Sequence, residues 1–424
     1  MLRPVAMMRP MPTTDDRDRR VFERLRDAAR ERGLDLAGGH VRRTSSRFCF
    51  GVEHGDYNGT SLFGVGCDRF LWLGWQPNDS GRVRAFSANF PNEGIVDVDL
   101  RATTPGGSDA PDGWARYVQG AASVLRDAGF DVASGFDCVL HGDIPGGGMS
   151  RSASLCLNLL LTLLERNSIE LDDRFRIVEM AQRIENVHVG SPCGILDQTM
   201  ILFAKAGHGT QFDPATRTVR HVPFGGDPES FRLVALDTGT VRPGLEQSTY
   251  RLRRAECERL LALAQDEGFA ITALADVRDQ AQLDELRGWF GADHPDLIDR
   301  LDYLVAAQRN FTLLLAAWER GDIATVGRLF REDGIGLRDR YRISGPELET
   351  MCDIARTVPG VHGERMLGGG DKGASGAVVA REAVPALREA VDVGYPRAHP
   401  AFADRYAVHE LRVVDGVAEF PGVL

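Results

Sequence analysis

The sequence predicts an α+β protein of two domains, on three observations. A chain of 424 residues exceeds what one hydrophobic core usually organises. Strand-like runs alternate with segments of helical periodicity in both halves, with no internal repeat and no low-complexity tract. A polar break at Gly225 to Glu229 (GGDPE) separates the halves, so the expected domains are residues 1–224 and 225–424.

Composition narrows the function classes. With 43% hydrophobic and 26% charged residues the chain is not disordered, and a formal charge of -11 argues against nucleic acid or an acidic membrane as partner. A local basic pocket is still compatible. The seven cysteines (49, 67, 138, 156, 193, 257 and 352) form no CxxC pair, which fits reduced thiols in a cytoplasmic protein better than a disulfide framework or a zinc site. The N-terminal residues lack the apolar core of a signal peptide, and no run of about 20 apolar residues could span a membrane.

In chain order, Asp15 to Gly33 carries Val21, Phe22, Leu25 and Ala28 or Ala29 at helical spacing with Gly33 as the stop. Its arginines are interleaved with acids, the mark of a solvated face. A strand-like stretch, Phe48 to Val52, then runs into Glu53, His54, Asp56, Tyr57 and Asn58. Polar groups at the end of a buried strand need partners. A polyhydroxylated ligand would supply them, and so would a surface turn. Cys67 to Leu100 reads as antiparallel strands, Pro105 to Pro111 as a loop, and Trp114 to Ala128 as a helix whose Trp114 and Tyr117 are assigned to packing.

The richest stretch is His141 to Leu155, HGDIPGGGMSRSASL, between a strand (Phe136 to Leu140) and an apolar helix (Leu155 to Leu164). Glycines permit positive φ, and the helix start offers free amides and a positive dipole end, which together suit an anion. Ser150, Ser152 and Ser154 add hydroxyls for phosphate oxygens or a magnesium ion. No lysine follows the glycines and no dinucleotide-fold acid is evident, so the loop is not of the Walker or Rossmann type.

Asp173 to His188 is helical, and GSPCGILDQ (Gly190 to Gln198) follows. Glu185 and Asp197 flank that turn as a cation ligand and a polariser of a hydroxyl, or as two surface charges; spacing leaves both open. Phe203 to Pro223 reads as a hairpin, and Arg232 to Leu236, Ser375 to Val379 and Leu411 to Val414 as strands. Helices are expected at Thr249 to Glu267, Leu297 to Arg320 and Ile323 to Arg331, and a second glycine cluster, MLGGGDKGASG, spans Met366 to Gly376.

Taken together, these stretches resemble the galactokinase branch of the GHMP small-molecule kinases. RFCFGVEHGDYNG is similar to R-V-N-L-I-G-E-H-T-D-Y-N, and IPGGGMSRSASL to the phosphate loop P-x-G-x-G-L-S-S-S-A, with one residue fewer after the proline. MLGGGDKGASG resembles M-T-G-G-G-F-G-G-C, GSPCGILDQ resembles G-x-P-C-G-I-M-D-Q, and STYRLRRAEC resembles S-E-Y-x-x-R-R-x-E-C.

The resemblance implies a two-domain GHMP kinase fold with mixed or antiparallel sheets and a cleft between the domains. It further implies an ATP- and Mg2+-dependent sugar 1-kinase acting on galactose or a closely related aldose. Asp197 would face the anomeric hydroxyl as base or orienting anion, with Arg47 keeping it ionised. Ser152 and Glu185 would hold Mg2+; Glu53, His54, Asp56, Gly194 and Tyr250 would contact the sugar. The loop of Gly146, Gly147, Gly148, Ser150, Arg151, Ser152, Ala153 and Ser154 would wrap the triphosphate.

Four departures bear on specificity: Arg151 for the middle serine, Asn186 for a histidine, Pro243 for a histidine, and Asp371-Lys372 for Phe-Gly. Glu53 favours a neutral C6 group, since a uronate would be repelled unless Arg151 or Lys372 offset it. A kinase for N-acetylgalactosamine, arabinose, galacturonate or a heptose, and a silent sugar- and ATP-binding sensor, are the alternatives at this stage.

Overall fold

The computed structural model describes residues 14–102, 113–240 and 248–424; the loop expected at Pro105 to Pro111, and Pro243, lie outside them. Helix α1 (Asp16–Arg32) starts where the Asp15 carboxylate accepts from the Asp18 amide and stops where Gly33 turns left-handed at φ 65°. Then come β1 (His40–Gly51), β2 (Leu62–Pro77), β3 (Arg82–Ser87), β4 (Ile95–Asp99), α2 (Ala115–Asp127) and β5 (Phe136–Gly142). Helices α3 (Arg151–Arg166), α4 (Arg174–Arg183) and α5 (Leu196–Leu202) follow, and the hairpin β6 (His208–Asp213) and β7 (Thr218–Pro223) completes this half.

The second half runs β8 (Phe231–Asp237), α6 (Thr249–Asp266), α7 (Gln280–Phe290), α8 (Pro295–Glu319), α9 (Ile323–Gly336) and α10 (Pro346–Arg356). It continues with β9 (Val361–Met366), β10 (Ala374–Ala380), α11 (Val384–Ala398), β11 (Ala407–Leu411) and β12 (Val417–Phe420).

Two sheets result. The first has the order β12-β1-β2-β5-β3-β4, with the β6–β7 hairpin added along β2; the second is β11-β8-β10-β9 and antiparallel throughout. The passage between them falls between β7 and β8, and β12 returns to pair with β1. Alternation along the strands builds layers on both faces of the first sheet. Trp72, Val139 and Val41 meet Val21, Phe22 and Leu25 of α1, while Leu71, Leu73 and Leu140 meet Val118 of α2 and Leu157 and Leu160 of α3. In the second sheet Val234, Leu236 and Val379 pack on Met351 of α10 and Leu387 of α11, whereas Leu233, Ala235 and Val378 join the main core.

Within Cys67 to Leu100 the strands run antiparallel as expected, with β3 paired to β4, while β3 also lies parallel to β5 from outside that stretch, with Val83 opposite Phe136. The connection through β4 and α2 is a crossover that brings the chain back in the same direction. One expectation needs correction: the strand expected at Leu411 to Val414 runs earlier, over Ala407–Leu411, and ends at Leu411. There the Arg412 amide donates to Asp68 at 3.0 Å, drawing the chain off the second sheet toward β2, and Val413 keeps only a lone bridge to Cys67.

Candidate active site

Two glycine clusters meet backbone to backbone. A Cβ on Gly147 would lie 2.8 Å from the Gly373 Cα, and one on Gly368 would lie 3.0 Å from the Gly148 Cα. Neither side of this contact has room for a side chain. Gly148 (φ 81°) and Ser150 (φ 65°) are left-handed, so neighbouring amides of the loop turn toward one concavity ahead of α3. The Ser150 hydroxyl is buried without a partner among the described residues, as a group awaiting a ligand would be.

Opposite lies the Pro-Cys-Gly turn. The Asn186 side chain accepts from the Cys193 amide at 2.8 Å, and Gln182 and Arg254 donate to the Cys193 carbonyl at 3.1 and 3.2 Å. The helix expected over Asp173 to His188 changes at Ile184–Val189 into a wider π-type turn, which aims Glu185 inward. Gly194 is required here, because a Cβ would sit 1.8 Å from the Asp56 carboxylate, which also accepts from the Leu196 amide at 3.0 Å.

Asp197, in the first turn of α5, accepts from Arg47 Nε at 2.8 Å. The same guanidinium donates to the Gly148 carbonyl at 2.7 Å and stands 3.4 Å from Glu53. Arg47 therefore ties the acid of one turn to the glycine loop of the other. Burial alone would lower its pKa, but Asp197 and Glu53 together raise it, so the charge is permanent. Burial pushes Glu185 up to about 7, against hydrogen bonds from Ser152 and Gln198. Burial likewise pushes Asp56 up to about 6, opposed by the Leu196 amide and reinforced by Asp197.

The far wall is aromatic. The His54 ring lies 5.1 Å from those of Tyr250 and Tyr341, and the Tyr57 and Tyr341 hydroxyls are 2.7 Å apart. Glu53 is fully engaged: it accepts from Arg365 at 2.9 Å and from the Gly368 amide at 2.5 Å. Of the departures, Asp371 accepts from the Thr249 amide at 2.7 Å and so anchors the start of α6 beside Tyr250, while Lys372 is exposed.

These groups surround one cavity of about 440 Å³. Arg47, Asp197, Glu53, His54, Asp56, Gly194 and Tyr250 line it, together with Gly146, Gly147, Gly148, Ser150, Arg151, Ser152 and Glu185. Ala153 and Ser154 do not reach it. Both are buried, the Ser154 hydroxyl is 2.6 Å from that of Thr44, and its amide already donates to the Ser150 carbonyl. Conversely, Trp114 and Tyr117, assigned to packing by periodicity, form the cavity wall with Ser87, Asn89 and Phe90. A tryptophan at a helix start whose indole nitrogen has no partner among the described residues is the signal of this role, and it is visible only in the fold.

Residues 116–205 match the GHMP kinases N terminal domain. The galactokinase of Roseiflexus sp. (strain RS-1) is 31% identical over 366 residues, 86% of this chain and 89% of that one. That of Chloroflexus aurantiacus is 33% identical over 356 residues, covering 84% and 87%. The chain belongs to the galactokinase family. As a member it is an ATP-using phosphotransferase with an alcohol group as acceptor. The crystal structure of Lactococcus lactis galactokinase complexed with galactose aligns with a TM-score of 0.83 at 27% identity, over 94% of this chain and 99% of that one. Methanococcus jannaschii mevalonate kinase, at 13% identity and a TM-score of 0.61, shares the fold alone. Among the described residues no helix is long and apolar enough to cross a membrane.

Proposed function

We propose that the enzyme transfers the γ-phosphoryl group of ATP to the anomeric hydroxyl of galactose, with Asp197 facing that hydroxyl. The observation that carries this reading is Arg47, one buried cation bound both to Asp197 and to the Gly148 carbonyl of the glycine loop. It holds acceptor side and phosphate side in register. Phosphoryl transfer through a loose transition state depends mainly on such alignment and on neutralising charge.

In this reading Asp56, His54, Tyr250 and the Gly194 backbone hold the sugar hydroxyls, and the amides from Gly146 to Ser152 take the phosphates. Phe90, Trp114 and Tyr117 offer the flat apolar wall that a purine stacks on. Ser152 and Glu185 fit a magnesium ion: the Glu185 carboxylate is buried, faces the cavity and has no ion pair among the described residues. Such an ion supplies charge neutralisation between the phosphates. The seven buried free thiols support a cytoplasmic setting.

Galactose is favoured over a uronate because neither candidate cation stands by the acceptor. Arg151 lies over the Phe90 ring at 5.4 Å, on the nucleotide side, and Lys372 is outside the cavity wall. The test is ADP release with ATP and magnesium across galactose, N-acetylgalactosamine, arabinose, galacturonate and heptoses. Galactose is expected to give the highest kcat/KM; no ADP above background with any of them would sink the proposal.

Two predictions belong with this reading. Arg151 opens α3, where a cation opposes the helix dipole, so its natural partner is an anion in the loop. Arg151→Ser is expected to raise the KM for ATP about tenfold, equivalent to ~1.4 kcal/mol, and to leave the KM for sugar unchanged; a lower KM for ATP would mark the arginine as an obstruction. Asp56, raised to about 6, accepts a sugar hydroxyl more strongly as a carboxylate than as a neutral acid, so kcat/KM for sugar is expected to fall as pH drops below that value. Asp56→Asn should flatten this acid limb in a pH profile.

A further inference from the structure

A second cavity, of about 280 Å³, opens between α7, α8 and α9, just below the usual range for drug-sized ligands and of a size for a single small ring. Asp302, Glu332 and Asp333 line it as acceptors and Gln280, Arg287 and Asn310 as donors, with capacity beyond the bonds they already make: Gln280 and Arg287 to Asp284 at 2.9 and 2.5 Å, Asn310 to Glu332 at 3.3 Å, and Arg328 to Glu332 at 2.5 Å. Leu283 and Ala307 add an apolar patch. Charge is nearly balanced, since Arg287 and Arg340 face the three carboxylates and Arg287 already pairs with Asp302 at 2.6 Å. A nucleotide or sugar phosphate would meet more acid than base here. A neutral polyhydroxylated ring matches: its hydroxyls can both donate and accept, and its C–H face can rest on the apolar patch.

The walls of this cavity continue into the catalytic cleft by two routes. Asp333 ion-pairs with Arg365, which donates to Glu53 at 2.9 Å, and Glu53 stands 3.4 Å from Arg47, the partner of Asp197. The Tyr303 hydroxyl, at the cavity floor, is within 2.9 Å of the Glu53 carbonyl and 3.2 Å of Asp333. The second route is the wider π-type turn Leu337–Tyr341, which presents Arg340 to the cavity and packs the Tyr341 ring 5.1 Å from that of His54, a residue of the cleft wall. One short turn thus borders this cavity and backs the wall of the cleft.

The geometry points to a regulatory site for a neutral monosaccharide, separate from the catalytic cleft, whose occupancy weakens the cleft's hold on its own sugar. Hydroxyls that donate to Asp333 compete with Arg365 for its lone pairs, and the released guanidinium draws on Glu53 instead. The coupling, though not the site, rests on the proposed placing of Asp197 at the acceptor, since a Glu53 drawn toward Arg365 loosens its hold on Arg47, the partner of Asp197. At high sugar the enzyme then inhibits itself.

The test titrates D-galactose, and in parallel D-glucose, D-mannose and myo-inositol, into the intact chain by calorimetry with a non-hydrolysable ATP analogue and magnesium. Two sites are expected for at least one sugar, and the second should vanish in Ala306→Trp, which plugs the cavity from an exposed position on α8. That variant keeps normal activity at low sugar and loses the inhibition at high sugar, which in the wild type raises the apparent KM about fivefold. Glu332→Gln, which preserves shape, is expected to weaken the second site about tenfold and leave the first unchanged. A single site for every sugar, or a second site indifferent to Ala306→Trp, overturns the proposal. Two sites without any change in apparent KM overturn the coupling. If galactose fills only the Trp-sensitive site, the cavity stands and galactose as acceptor in the cleft falls.

Discussion

Asp197→Asn is expected to lower kcat about a thousandfold while leaving ATP affinity within about twofold. The asparagine keeps the shape of the side chain and can still accept from Arg47 Nε, so what is lost is charge beside the reacting hydroxyl. ATP is held elsewhere in this reading, by the glycine loop and the aromatic wall, so its affinity should not follow kcat. Steady-state ADP release, with calorimetry of an ATP analogue, measures the two quantities separately. Turnover near that of the wild type would remove Asp197 from the chemistry.

The second large effect is on folding. Arg365 is fully buried and bridges Asp333 and Glu53, donates to the Cys49 carbonyl at 2.7 Å and lies 4.6 Å over the Phe330 ring. Replacing it with methionine leaves two carboxylates buried with their main counter-charge gone. Arg365→Met is expected to cost ~3–5 kcal/mol of stability, as removal of one member of a buried ion pair does. The loss should appear as a lower denaturant midpoint. Asp333→Asn added to it should recover part of the loss, because one of the orphaned charges is then neutral; no recovery would assign the effect to packing over Phe330 instead.

Local patterns made much of this molecule readable in advance. Helix α1 shows itself through a capping acid, an apolar stripe and a terminal glycine, all within its own residues. The two glycine clusters are equally plain as sequence, though their reason, mutual backbone contact between Gly147 and Gly373, is a tertiary fact. Side-chain direction is where reading along the chain stops. Ser152 and Ser154 look alike in SRSAS, yet the helical phase from Arg151 puts one at the cavity and sends the other to Thr44. Trp114 and Tyr117 have the spacing of core residues and do pack, but on a face that borders an opening. The parallel pairing of β3 with β5 leaves no local trace, because it depends on a crossover and not on either strand.

The placement of β12 has a consequence for how the molecule is made. β1 carries Arg47, and the outer edge of its first half is covered by β12, which follows all the other described elements in the chain, with Val41 opposite Phe420. While the nascent chain emerges, that edge offers unpaired amides and carbonyls to any neighbour. Pairing of β12, not completion of the first half, is the step that closes this edge of the strand carrying Arg47.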